Sequence, residues 1–384
     1  MAEAVTAGAT RLLPGLPDEI VVWEILVRLP PKSVLRCRPV CRAWRRVTST
    51  RDFLLAHHGM QPSLPVVYGY EKADTNYRNI LAIDHRSTDT QVQHVARFDI
   101  DKLICVEASC DGLLVISMVW TSRRFSVCNP VTRQHALLPH PPDFSLFSVF
   151  GMYLHHPSGE YRLLLYRRSN GVSYVGYLLP DGKVGCYALA LGSSQPPRYI
   201  GGPEPASELQ FYTPVLVRDS LHWSKGIHSR LVVVFDTTAE SFREMRVPTV
   251  PANSSLVQMD GTLGMCSCND TMKVVDIWVL KDYQGEIWEH KYRIKLPVEE
   301  IRVQFGRWED YWCVAVDSLD GDFLLLLSSD EWLFYVDSDG KLVDSSHCGG
   351  QELSACGIRL KQTLVPHTFF TALQDYAVNA SPFI

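Results

Sequence analysis

Two kinds of periodicity divide the chain. Over residues 16–58 apolar residues recur at helical spacing. After Gly59 short apolar runs alternate with turns rich in Asp, Asn, Gly and Ser. Leu16-Pro17-Asp18-Glu19 predicts a helix start, because proline is tolerated in a first turn and acids suit the positive end of the helix dipole. The helix runs from Ile20 to Leu29, and Pro30-Pro31 stops it and starts the next. Lys32 to Cys37 makes a short second helix, Pro39 opens a third through Arg46, and Ser49 to Asp52 opens a fourth through His58. The first helix is apolar nearly all the way round: Ile20, Val21, Val22, Trp23, Ile25, Leu26 and Val27 cannot all face one small core. Such a helix is expected to be buried on more than one side. A module of about 40 residues is also marginal alone, so it is expected to bury surface against a partner, the rest of the chain, or both.

In the remainder, six turns look alike. They are Ala82-Ile-Asp-His-Arg-Ser87, Val127-Cys-Asn-Pro-Val-Thr132, Leu179-Pro-Asp-Gly-Lys183, Val234-Phe-Asp-Thr-Thr-Ala239, Leu280-Lys-Asp-Tyr-Gln-Gly285 and Tyr335-Val-Asp-Ser-Asp-Gly340. Each lies between two predicted strands, and three of the second strands end in Leu138-Pro139, Val247-Pro248 or Leu296-Pro297. The turn residues at 84, 129, 181, 236, 282 and 337 are 45, 52, 55, 46 and 55 positions apart. Several strands per unit at such a period predict a β-propeller, here of about six to seven blades. An irregular β-sandwich with ordinary hairpins is the alternative. The fold class is therefore mainly β with a small N-terminal α module: a flexible N-terminus over 1–15, a helical module over 16–59 and a propeller-like domain over 60–384.

Charge sharpens this division. The 384 residues carry a net charge of −5, but residues 11–58 hold nine Lys/Arg against four Asp/Glu. A basic head on an acidic body points to protein docking by the head. Nucleic acid is disfavoured, because no aromatic platform is interleaved with the basic residues. No stretch approaches the roughly 20 apolar residues of a membrane helix. Met1 to Thr10 lacks the features of a signal peptide, so the cytosol or nucleus is expected. Eleven cysteines fit buried thiols in a reducing compartment. Cys37 and Cys41 sit four apart on a predicted helix and Cys266 and Cys268 two apart in a strand, but neither pair has a second pair at zinc spacing. No metal or cofactor is expected.

The order of residues in the head resembles the F-box. The matching strings are Leu16-Pro17, Ile25-Leu26, Leu29-Pro30, Lys32-Ser33-Val34-Leu35-Arg36 and Val40-Cys41-Arg42-Ala43-Trp44, with Phe53 and His57 or His58 at the end. The resemblance implies docking on the Skp1 adaptor of a cullin-based ubiquitin ligase. Carried over by position, Leu16, Pro17, Ile20, Leu26, Pro30, Leu35, Val40 and Trp44 become candidates for that interface or its support. Pro39 departs from the family pattern and is expected to shift the third helix.

The body resembles the F-box-associated domain common in plants. The resemblance rests on Ser109-Cys-Asp-Gly-Leu-Leu114, Cys128-Asn-Pro-Val-Thr-Arg133 and Pro157-Ser-Gly-Glu-Tyr161, then on Asp219-Ser-Leu-His-Trp223, Val234-Phe-Asp-Thr-Thr-Ala-Glu240 and Asp260-Gly261, in family order. It implies a domain that holds a target protein without naming one. His222-Trp223 reads as a strand whose aromatic packs between sheets, and His155-His156 as a turn.

No Gly-x-Ser-x-Gly elbow, His-Glu-x-x-His helix or phosphate loop occurs. The expected role is a non-catalytic substrate receptor that joins an unidentified target to Skp1 and a cullin. A scaffold or regulator outside a ligase, or a propeller lectin or enzyme, remains the alternative.

Overall fold

The computed structural model describes residues 15–71, 77–84, 92–99, 103–119, 124–138, 147–167, 183–203, 213–224, 230–248, 253–269, 271, 273–306, 313–319 and 322–379. The expected flexible N-terminus lies almost wholly outside them.

The chain opens with a helical module. Helix α1 (Asp18–Ile20) continues without a break through a π turn, Val21–Ile25, and a 3-10 turn, Leu26–Arg28. Helices α2 (Pro31–Cys37), α3 (Arg42–Val47) and α4 (Arg51–Met60) follow. The sequence signals explain these limits. Pro17 precedes α1, with Asp18 and Glu19 in its first turn. Pro31 occupies the first turn of α2. Thr50 caps α4 by accepting from the Phe53 amide at 3.3 Å.

Two expectations need correction. Cys37 and Cys41 do not share a helix, because α2 ends at Cys37 and Cys41 is the N-cap of α3. The third helix begins at Arg42, later than the expected start beside Pro39. The Cys41 thiol accepts from the Trp44 amide at 3.4 Å and so sets this start.

After the module the chain builds six sheets, four of them linked in order by strands that follow one another along the chain. Blade 1 is closed by an innermost strand from far downstream: Gln351–Lys361 pairs with Ser63–Glu71, placing Val67 opposite Ala355. Blade 2 carries a fifth, outermost strand, Gln374–Val378, paired with Gln134–Leu137. Buried apolar clusters occupy all six seams between neighbouring blades, including the closing seam where Leu81 and Leu353 of blade 1 meet Leu326 and Tyr335 of blade 6. The ring is a six-bladed β-propeller, within the expected six to seven, rather than the alternative sandwich.

Burial on both faces explains the continuous apolar runs. Leu113 and Val115 face blade 3 while Leu114 and Ile116, on the same strand, face blade 1. Leu325 and Leu327 face blade 5 while Leu326 faces blade 1.

The repeated turns join the third and fourth strands of a blade. Asn129, Asp236, Asp282 and Asp337 each turn one side-chain oxygen onto a following backbone N–H, at 2.8–3.2 Å. Asp84 follows the third strand of blade 1, Tyr77–Ile83, and the turn after it lies outside the described residues. Asp181 also lies outside them, and falls in sequence before the third strand of blade 3, Gly185–Ala190. That blade makes its equivalent turn at Gly192 and Ser193, where Ser193 Oγ accepts from the Gln195 amide. The Leu-Pro and Val-Pro pairs end outer strands: Leu138, Val247 and Leu296 each donate a final backbone bond to the residue before the third strand or at its start.

Candidate docking site

The π turn decides which residues the module shows to solvent. Its wider winding brings residues five apart onto one face, with the Leu26 amide donating to Val21 O. Val21 and Leu26, and likewise Val22 and Val27, are therefore buried together against Val34, Phe53 and Leu54. Ile20 and Ile25 share the outward face by the same spacing, with Trp23 exposed beside them and its ring centroid 6.3 Å from that of Phe53. Fifteen large apolar side chains are exposed among the described residues, and seven belong to this module: Leu16, Ile20, Trp23, Ile25, Val40, Leu55 and Met60. Exposed apolar side chains gathered in this way are a feature of binding surfaces.

Of the eight residues expected at the interface or its support, Leu16, Pro17, Ile20, Pro30 and Val40 are exposed. Val40 is 66% exposed, against 38% for Leu16 and 43% for Ile20. Leu35 and Trp44 are half-buried against the module core. Leu26, 1% exposed, belongs to that core. Trp23 and Ile25 were not among the eight interface candidates, although both belong to the helix too apolar to face one core. Their signal was present in the five-residue spacing of Val21/Leu26 and Val22/Val27, which a regular helix would not keep on one side.

Buried polar groups lock the module together. His57 Nε2 lies 2.9 Å from Leu29 O, the carbonyl at the end of the first helical segment, and Gln61 Nε2 donates to the same oxygen at 3.3 Å. Burial lowers the His57 pKa against the opposing pull of the Leu29 bond and so favours the neutral imidazole. Arg38 ties α2 to α3 by donating to Thr48 O at 2.9 Å. Lys32 reaches the ring and donates to His94 O, and burial with Arg36 and Arg133 nearby lowers its pKa.

At the centre of the ring is a cavity of about 620 Å3, lined by innermost-strand residues such as Ser109, Met152, Gln258, Ala315 and Arg359. Arg359 is already occupied: it donates to Asp317 Oδ1 at 2.8 Å, to Val316 O at 2.9 Å and to Ser63 O. His222 and Trp223 are structural, as their strand context implied. Trp223 donates to Phe150 O at 3.2 Å, and His222 is bonded at both nitrogens. His155 sits at the turn into Ser158, 2.8 Å from its hydroxyl. Among the described residues no group of three or more His, Cys, Asp or Glu could hold a metal.

Comparison with known proteins gives two family matches. Residues 13–58 match a family described as F-box-like, and residues 66–339 match the F-box associated beta propeller domain. F-box protein At5g49610 of Arabidopsis thaliana is 24% identical over 296 residues, spanning 71% of this chain and 77% of that protein. F-box protein CPR1 of the same plant is 26% identical over 313 residues, spanning 72% of each. A putative F-box protein of that plant, At5g52610, is 24% identical over 344 residues, spanning 83% of this chain and 89% of its own length.

Proposed function

The chain belongs to the F-box proteins that carry an F-box-associated β-propeller, and from that premise we propose that it is the substrate-recognition subunit of a Skp1–cullin–F-box ubiquitin ligase. The family as a whole supports a substrate-receptor role and a Skp1-type partner. The observation that carries the reading to this chain is the set of exposed apolar side chains Ile20, Trp23 and Ile25 of the first helical segment, with Leu16 just before it, on a module seated against a closed ring. The F-box docks on the adaptor, the adaptor joins a cullin, and the propeller holds a target protein. Ubiquitin transfer then proceeds by proximity, with the chemistry supplied by the partners. We place the protein in the cytosol or nucleus. The free thiols of Cys37, Cys41, Cys105 and Cys348, none of them fully buried, suit a reducing compartment.

The test is capture of a purified Skp1-type adaptor by the full chain and by Leu16→Ala/Pro17→Ala, Ile20→Ala/Trp23→Ala and Trp44→Ala variants. An exposed tryptophan at the centre of an interface contributes about 2 kcal/mol, so the Ile20/Trp23 variant should bind at least tenfold more weakly. Undiminished capture by every variant would sink the interface. Adaptor binding without cullin co-purification would replace the ligase by a scaffold.

A further inference from the structure

The F-box does not close its own core. Its buried cluster takes in Leu364 and Val365, from the segment that leaves the closing strand, and Val131 from a turn of blade 2. Leu364 is 5% exposed, and Gln362 and Thr363 beside it are buried. The same segment is pinned to the ring. Asn129 Nδ2 donates to Thr363 O at 3.3 Å, and within the segment the Val365 amide donates to Thr363 Oγ1 at 3.1 Å. Gly112, at φ +84°, leaves free the space that Lys361 O and the Thr363 side chain occupy. Farther on, Phe370 enters the core between blades 2 and 3, Phe369 lies against Gly192, and Gln374–Val378 joins the edge of blade 2. His58 of α4 lies 3.6 Å from Asp111 at the foot of blade 2. One continuous segment thus touches the F-box, blades 2 and 3 and, through Gln362 donating to Gln93 Oε1 at 3.4 Å, blade 1.

We propose that residues 362–378 form a strap that couples the F-box to the closed ring, and that the docking surface is fully formed only while the strap is seated. The physical reason is the size of the module. So small a core is marginal, and removing a buried leucine from its base leaves a cavity that lets the helices open locally. The outward face of the first helical segment depends on the inward burial of Val21 and Leu26, in the same cluster as Leu364. The inference rests on the substrate-receptor reading only for the identity of the docking partner.

The experiment is native-state hydrogen exchange on the full chain, wild type and Leu364→Ser, with adaptor affinity measured on the same samples. Exchange in residues 16–60 should accelerate at least tenfold in the variant, while residues 215–295 keep their protection, and adaptor affinity should fall by a similar factor. A Phe370→Ala variant, which loosens the strap away from the F-box, should show the same direction more weakly. Unchanged protection of residues 16–60 in Leu364→Ser overturns the proposal. If the wild type fails to bind an adaptor while Leu364→Ser still loosens residues 16–60, the docking reading fails and the strap stands.

Discussion

Replacing His222 by glutamine removes a histidine that the ring holds neutral. The imidazole is fully buried in the second strand of blade 4. Its Nδ1 lies 3.1 Å from Val215 O, which can only accept, so Nδ1 carries the proton. Nε2 then accepts from the Tyr283 hydroxyl at 2.8 Å. Burial lowers its pKa from 6.5 to about 4, with the Arg243 charge acting in the same direction against the Val215 bond. The folded state therefore refuses a proton that the unfolded chain accepts. The associated stability is complete above pH 6.5 and is lost as pH falls through 6.5 toward 4. For this one group the loss between pH 7 and pH 5 works out at about 2 kcal/mol. Urea unfolding at pH 7, 6 and 5 measures it. The variant starts less stable, but its stability should fall about 2 kcal/mol less over that range than the wild type's. Equal slopes would refute the neutral, buried histidine.

Other outcomes follow from particular contacts. His135 and His367 are likewise held near 4 by burial, so the wild-type ring should unfold at mildly acidic pH, more steeply than its carboxylates require, in a circular-dichroism titration. Glu240, at the seam of blades 3 and 4, accepts from the Tyr153 hydroxyl at 2.6 Å, from Arg162 at 2.7 Å and from Arg198. Glu240→Ala should cost about 3 kcal/mol in chemical denaturation, because Arg162 and the Tyr153 hydroxyl lose a buried partner. A Cβ on Gly112 would stand 2.4 Å from Lys361 O at a positive φ, so Gly112→Ala should lower the melting temperature by several degrees. Leu26→Ala should destabilise the F-box by about 2–5 kcal/mol, read by hydrogen exchange, whereas Ile20→Ala should leave exchange unchanged and weaken only adaptor binding.

The parts of this protein that were legible in sequence are those built by local rules. Prolines and a threonine cap set the helix limits, and the Asx caps of Asn129, Asp236, Asp282 and Asp337 made the blade period visible. The same rule misled at Asp181, because blade 3 turns on Gly192 and Ser193 instead. Cys41 was not foreseen as a cap, since a thiol is a weak acceptor. The exposed face of the first helix was hidden by its π turn, which changes the spacing by which faces are read. The closing strand and the strap depend on partners hundreds of positions away, and no local pattern records such pairing.

The closing strand also sets the timing of folding. Val67 waits for Ala355, 288 positions later, before the inner edge of its sheet is paired. At ribosomal rates of about 5–20 residues per second, that edge stays open for roughly 15–60 s during synthesis. Its sequence is Ser-Leu-Pro-Val-Val-Tyr-Gly-Tyr-Glu, apolar at its centre, with a proline near one end and charge only at the last position. An unpaired strand of that kind is a template for wrong partners. A nascent chain of this protein is thus expected to engage chaperones for most of its synthesis, and to release them only when the closing strand, which follows the last blade, has been made.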